Sequence, residues 1–150
     1  MTPTPDELTK VLGVDPTSGG AWVNGSGLVW ERISGTSVSG HIDAGPEHLT
    51  PWGVVHGGLY AMVAESAASV GASAAVLDRG QFAVGVDNVT DFLRPSSGGR
   101  LELVATPVIQ GKSEQLWEVS VTRADGKPVA RSRIRLRNVD LAPRTEPPRG

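Results

Sequence analysis

The sequence predicts an α+β domain: an antiparallel sheet packed on one long helix. Three observations carry this. Residues 57–78 form a run that is apolar on nearly every side and holds a single charged side chain before Asp78, Glu65. Around it lie six short runs in which polar and apolar residues alternate, the period of half-buried strands. Most of these runs are joined by short turn segments, which favours antiparallel neighbours over parallel ones. With 150 residues, the chain is the size of one domain and can bury about 70% of its unfolded surface.

Taken in order, Thr4-Pro5-Asp6-Glu7 has the look of a helix start. Thr4 can cap, Pro5 suits the first helical position, and Glu7 completes a capping box. Leu8, Val11 and Leu12 share a face, and residues 15–20 carry turn chemistry. Residues 28–42 alternate in two halves broken at Ser34-Gly35-Thr36, as a hairpin would. A loop follows over 44–51, then the helix over 57–78, then a strand over 82–93 that ends at Arg94-Pro95-Ser96-Ser97-Gly98-Gly99. In residues 101–110 the side chains of Leu101, Leu103, Ala105, Pro107 and Ile109 are expected on one face, with Pro107 marking an edge or a bulge. Trp117, Val119 and Val121 share a face in 116–123, Asp125-Gly126 is a hairpin turn, and residues 128–139 place Ala130, Ser132, Ile134 and Leu136 inward. Arg131, Arg133, Arg135 and Arg137 then point outward. The division expected is a helix or arm over 1–17, the domain over 18–141 and a disordered tail over 142–150.

Composition excludes several classes. The chain has no Cys, so disulfides, thiolate nucleophiles and Cys-ligated metals are ruled out, and a cytoplasmic location is expected. His41, His48 and His56 are too widely spaced for a metal pair on one helix, so no metal is expected. The N-terminus lacks the basic and apolar regions of a signal peptide. Residues 59–77 are apolar enough to suggest a membrane span, but Glu65 near the centre would be costly in a bilayer. The net charge is −2, too small to suggest nucleic acid or a membrane surface as partner. That total conceals an asymmetry: residues 1–93 carry 3 basic and 10 acidic side chains, residues 94–150 carry 11 and 6. There is no Gly-x-Ser-x-Gly elbow, no P-loop and no Gly-x-Gly-x-x-Gly.

The helix carries the chemistry. A lone carboxylate on an enclosed helix is costly unless paired, hydrogen-bonded or used. Burial would raise its pKa toward the range of a general base at neutral pH. Ser69, at i+4, lies on the same face and can bond the carboxylate or orient a water. The structural alternative pairs Glu65 with an Arg from a neighbouring strand. At the helix start stands Val54-Val55-His56-Gly57-Gly58, where two glycines leave backbone N–H groups unshielded at the positive end of the helix, an arrangement suited to an oxyanion. The plainer alternative is that the glycines serve a tight turn. Gly57 and Glu65 are 8 residues apart, about 12 Å along the axis, so one chain cannot aim both at one carbon. Two antiparallel copies can, and a catalytic role for the pair therefore predicts a two-fold dimer with shared sites.

The run Trp52-Gly53-Val54-Val55-His56-Gly57-Gly58-Leu59-Tyr60, with Glu65 and Ser69, resembles the hotdog-fold acyl-CoA thioesterases, most closely the PaaI-like enzymes and the Arthrobacter-type 4-hydroxybenzoyl-CoA thioesterase. Ala83-Val84-Gly85-Val86, Thr90-Asp91-Phe92-Leu93-Arg94-Pro95 and Gln110-Gly111 leading to Trp117 support it, so the likeness spans residues 28–139. The resemblance implies a sheet wrapped around the helix and a homodimer, often a dimer-of-dimers tetramer. It implies hydrolysis of an aromatic or medium acyl-CoA to free acid and CoA with no cofactor. The Gly57 N–H would polarise the thioester carbonyl, and Glu65 would act as nucleophile or general base. Ser69 stands where the Arthrobacter-type enzyme has Thr. His56 is implied as a loop support or site-lining residue, with an ordinary structural His as the alternative. Thr50, Trp52, Gly58, Arg94, Lys112 and Ser113 are the substrate-binding candidates. Thr50 replaces a Gln that meets the thioester, and Lys112 replaces a hydroxyl residue; Arg94 matches a CoA-phosphate contact. The strand arginines are either a solvated face or further phosphate ligands. Two other readings stand beside this one: a hydratase, for which the helix lacks a His–Asp-type pair, and a non-catalytic acyl-CoA-binding hotdog module.

Overall fold

The computed structural model of the chain describes residues 6, 9, 10, 15 and 20–141. Asp6, Thr9 and Lys10 are helical; the cap and apolar face expected around them, and the tail over 142–150, lie outside the described residues. The elements that follow are α1 (Gly20–Asn24), β1 (Val29–Ile33), β2 (Val38–Ala44), α2 (Gly57–Ala74), β3 (Gln81–Phe92), β4 (Gly99–Gln110), β5 (Glu114–Arg123) and β6 (Pro128–Asp140), with 3-10 turns at Pro46–His48 and Leu77–Arg79. The six strands form one antiparallel sheet in the order β1-β2-β4-β5-β6-β3. It wraps α2, which touches all six strands.

The small residues of α2 make this wrap possible. Ala64, Ala67, Ala68 and Ala72 are fully buried. The Trp117 ring lies so close to Gly71 that a Cβ there would meet a ring carbon at 2.5 Å. Leu101, Leu103, Ala105, Trp117, Val119, Val121, Ala130, Ile134 and Leu136 complete the core from the sheet side, as the alternation predicts.

Four features differ from the sequence expectation. The helix stops at Ala74, not near residue 78. Gln115 Nε2 takes the Ala72 carbonyl at 2.9 Å, and Val76 N–H tightens onto Ser73 O at 3.1 Å, so the orphan carbonyls are satisfied without a further turn. A short helix, α1, follows directly on the stretch read as turn. Ile109 is exposed rather than inward, because the β4–β5 register shifts between Pro107 and Ile109. The expected bulge at Pro107 is therefore present, and it turns the end of the strand over. Finally, β3 does not pair with β4, its neighbour in sequence. It pairs with β6, which places β3 on the far edge of the sheet from β1.

Candidate active site

The start of α2 is held from three sides. Val55 N–H bonds Ser96 O at 2.8 Å and His56 N–H bonds His48 O at 2.8 Å. His48 is itself fixed, its Nδ1 accepting from Gly45 N–H at 3.0 Å and its Nε2 reaching Ser26 O at 2.8 Å. His56 is the N-cap, with extended backbone, and its Nδ1 accepts the Gly58 N–H at 2.8 Å. A ring nitrogen that accepts carries no proton, so the neutral ring has its hydrogen on Nε2. Of the two glycine amides expected to be open, only that of Gly57 has no partner among the described residues; His56 occupies the other. The Phe92 ring packs over Gly57: a Cβ there would lie 2.7 Å from the nearest ring carbon, so the ring would have to shift.

Two turns further on, Glu65 is half-buried and has no cationic partner among the described residues. Its Oε2 accepts from Asn88 Nδ2 at 3.2 Å, and the same amide donates to Ala61 O at 2.9 Å. The expected alternative of an Arg partner is therefore not met. The other carboxylate oxygen occupies the space a Cβ of Gly85 would need, so a side chain there would push the carboxylate aside. Ser69, one turn beyond, is half-buried, and its hydroxyl makes no hydrogen bond among the described residues.

The strand opposite Glu65 is bulged. Gly85 pairs with Leu136 and Asp87 with Arg135, which leaves Val86 as the extra residue. Uninterrupted alternation from Ala83 and Gly85 would turn Asp87 inward and Asn88 outward. The bulge reverses this: Asn88 faces α2, while Asp87 faces outward to Arg135 at 3.6 Å. Bulges commonly re-aim side chains at sites. Asn88 was not among the residues singled out from the sequence, and Gly85 entered only within the run Ala83-Val84-Gly85-Val86 that supports the resemblance, with no role of its own. The sequence carries no parity marker that would have found them.

The remaining candidates scatter. Thr50 closes a tight turn, with Gly53 N–H on its carbonyl at 2.9 Å, and its hydroxyl is buried without a partner. Trp52 stands at the tip of that turn, 86% exposed. Between α1 and the first turns of α2 lies a cleft of about 550 Å³ lined by Trp22, His48, Leu49, Gly58, Leu59 and Met62. Arg94 is exposed and bonds Pro128 O at 3.0 Å. Lys112 and Ser113 sit in the β4–β5 turn, tied to Asn138 through their carbonyls. Pro128 and Asn138 are ten residues apart on β6, roughly 33 Å at the rise of a strand, so Arg94 and Lys112 lie at opposite ends of one protomer. The four outward arginines of β6 each face an acid across the ladder: Arg137 with Glu114, Arg135 with Asp87, Arg133 with Glu118 and Arg131 with Asp91. Among the described residues no three His, Asp or Glu side chains converge as a metal site, and no helix is long and apolar enough to cross a membrane.

A family profile described as the thioesterase superfamily matches residues 53–130, from the turn ahead of His56 to the start of β6. The chain belongs to the thioesterase superfamily. Rv1847 of Mycobacterium tuberculosis is similar to it, 37% identical over 119 residues that cover 78% of this chain and 85% of that protein. The solved structure of that protein superposes with a TM-score of 0.80 over 83% of this chain and all of its own. AziG of S. sahachiroi is 40% identical in structure-based alignment, with a TM-score of 0.77 over 81% of this chain and 98% of that one. A 1,4-dihydroxy-2-naphthoyl-CoA thioesterase of Arabidopsis thaliana is 35% identical over 99 residues, 65% of this chain and 62% of that protein. The fold is accordingly the hotdog of PaaI-like thioesterases, and this thioesterase is an enzyme of thioester hydrolysis.

Proposed function

We propose that the enzyme hydrolyses an acyl-CoA to a free acid and CoA, in a site shared across a two-fold dimer, without a cofactor. The observation that carries this is Glu65: a carboxylate with an amide but no cation beside it, on the face of α2 next to the open edge of β3. Glu65 deprotonates the attacking water, or attacks the thioester carbon itself and is then released by water. In the first route water's oxygen ends in the acid; in the second, water cleaves the acyl–Glu65 anhydride at either carbonyl and regenerates the carboxylate; in both, a proton from the water leaves with the sulfur as the CoA thiol. The Gly57 N–H of the partner subunit donates to the developing oxyanion, and Ser69 orients the water. His56 supports this by capping α2 through Gly58 and leaving the Gly57 amide open.

The dimer register follows from two contacts. Glu65 lies on Gly85 and Gly57 lies on Phe92, both on the inner face of β3. Pairing β3 with its copy, Gly85 opposite Phe92, brings Glu65 of one chain toward Gly57 of the other. With Val86 bulged out, six ladder steps separate Gly85 from Phe92, and the two-fold axis falls on Val89. The exposed apolar side chains along this edge, Val84, Val86, Val89, Phe92 and Leu93, suit such a seam. The antiparallel pairing also carries Lys112 and Ser113 of the partner subunit toward Arg94, which gives these residues a common role at the CoA phosphates. The cleft beside Gly58, walled by Trp22, Leu49, Leu59 and Met62, receives an aromatic or medium acyl group. A homotetramer would stack two such dimers.

The test mixes two inactive chains. Glu65→Gln alone is expected to lose about 10²–10⁴-fold in kcat, and Gly57→Pro to lose the oxyanion donor. A heterodimer of the two retains one intact site and recovers activity against an acyl-CoA panel. Wild-type rates in Glu65→Gln would sink the role of the carboxylate. Absence of recovery in verified heterodimers would sink the shared site.

A further inference from the structure

Glu65 is not held by Asn88 alone. Asn88 is the last member of a chain of hydrogen bonds that begins in the core. Ser132, 1% exposed on β6, lies 2.8 Å from the Thr90 hydroxyl, and Thr90 Oγ1 donates to Asn88 Oδ1 at 2.7 Å. The direction of the chain is fixed by its ends. The Ala61 carbonyl can only accept, so the Asn88 atom facing it at 2.9 Å is Nδ2, and Oδ1 faces Thr90. Thr90 has one proton and gives it to Asn88, so Ser132 must donate to Thr90. Every donor in the sequence Ser132, Thr90, Asn88 therefore points toward the carboxylate. Bonds aligned in this way polarise one another.

We infer that Asn88 is a positioning residue for Glu65: driven by Thr90 and Ser132, it orients one carboxylate oxygen and leaves the other oxygen for the reaction. This rests on the reading of Glu65 given above. An amide can do this where a cation cannot, because it fixes the geometry without neutralising the charge that must react. The bulge at Val86 serves the same end, since without it Asn88 would face outward. Among the described residues no charged side chain competes for the role. The inner faces of β2, β4, β5 and β6 present Val38, Ile42, Leu101, Leu103, Trp117, Val119 and their like, and Asp87, Asp91 and Arg135 lie on the outer face. On α2 itself the other titratable groups are Tyr60, on the buried side, and the cap His56. His56 of the partner subunit would be the nearest titratable group across the proposed two-fold.

The test is a graded series assayed for acyl-CoA hydrolysis over pH, with melting temperatures measured in parallel. Asn88→Leu is expected to lower kcat about 10–100-fold, the scale of a hydrogen bond to a charged group. Thr90→Val, nearly isosteric and so a safeguard if Asn88→Leu folds poorly, should lower kcat about threefold to tenfold, and Ser132→Ala less, with KM unchanged throughout. Asn88→Asp removes the donor and adds a like charge. A second negative charge beside the reacting carboxylate is expected to move the acid limb of kcat/KM up by about one pH unit or more. An acid limb that stays put in Asn88→Asp, or losses confined to melting temperature, overturns the inference. Glu65→Gln is run alongside. If it is fully active, the reading of the site falls and takes this inference with it; if it is inactive while the Asn88 series keeps its rates, this inference falls alone.

Discussion

β3 treats its carboxylates differently on its two faces. Outward, Asp87 faces Arg135 and Asp91 faces Arg131, and β5 continues the pattern with Glu114 and Glu118 opposite Arg137 and Arg133. These side chains are at the surface, where water already solvates the charge and an ion pair adds little. Inward, the carboxylate that β3 meets is Glu65, and what it offers is an amide and a glycine. Counter-ions appear where they are chemically idle, and are withheld where a free carboxylate is useful. Two of these pairs, Asp87 with Arg135 and Asp91 with Arg131, join an acid of residues 1–93 to a base downstream; the other two lie wholly within the downstream part.

The inner arrangement is the more fragile of the two. Gly85→Ala should show this most strongly. The added Cβ occupies the place of a Glu65 oxygen, so the carboxylate must move while the strand, at an unexceptional φ, keeps its pairing. A displacement of this kind costs about 10²-fold in kcat, with an unchanged circular dichroism spectrum. Gly85→Ala with activity within threefold of wild type would break the contrast, because the inner carboxylate would then tolerate misplacement as the outer ones do.

What the sequence made legible, and what it hid, divides along the same line. Glu65 stood out because its charge is isolated in a neutral run, and Gly57 because a glycine pair opens that run. The six strands were legible from alternation, and the inward and outward sides of β6 came out correctly. Asn88 and Gly85 were hidden because alternation sets their faces only if the strand is regular, and the bulge at Val86 breaks the parity between them. Ile109 was misassigned for the same reason. The pairing of β3 with β6 was hidden because it joins residues about fifty positions apart, with no local signal. The capping of Gly58 by His56 depends on a ring rotamer, which no spacing encodes.

A second inner feature can be tested by its effect on stability. The hydroxyl of Tyr60, which is 3% exposed, is buried without a partner. Burial raises its pKa above the ordinary tyrosine value, partly offset by the nearby Arg123. Below about pH 10 the group is neutral in both folded and unfolded chains and contributes no slope. Above that the unfolded chain ionises first and binds fewer protons, so stability falls as pH rises toward the raised pKa. Tyr60→Phe should remove that part of the alkaline slope, and at neutral pH should stabilise by up to about 1 kcal/mol, since an unpaired buried hydroxyl is lost. Tyr60 is the single tyrosine of the chain, so tyrosinate absorbance reports it directly. Ionisation near pH 10 in protein that is still folded would show that the hydroxyl is solvated after all.

The smallest effect is expected outside. Asp87 and Arg135 are about half-exposed, with N···O at 3.6 Å. A double-mutant cycle with Asp87→Asn and Arg135→Gln should give a coupling of about 0–0.5 kcal/mol that fades with added salt. The comparison turns on this number. A small coupling means the outer ladder is solvated, and its pairing serves to balance charge along the strands without holding them together. A coupling above about 1.5 kcal/mol is the scale of a desolvated pair, and none of the described residues covers this face enough to produce it. If such a value also grew with protein concentration, the cover would have to be another copy of the chain laid against the sheet. Its acids and arginines would then be interface residues, and the difference between the two faces of β3 would become one between a catalytic seam and an assembly seam.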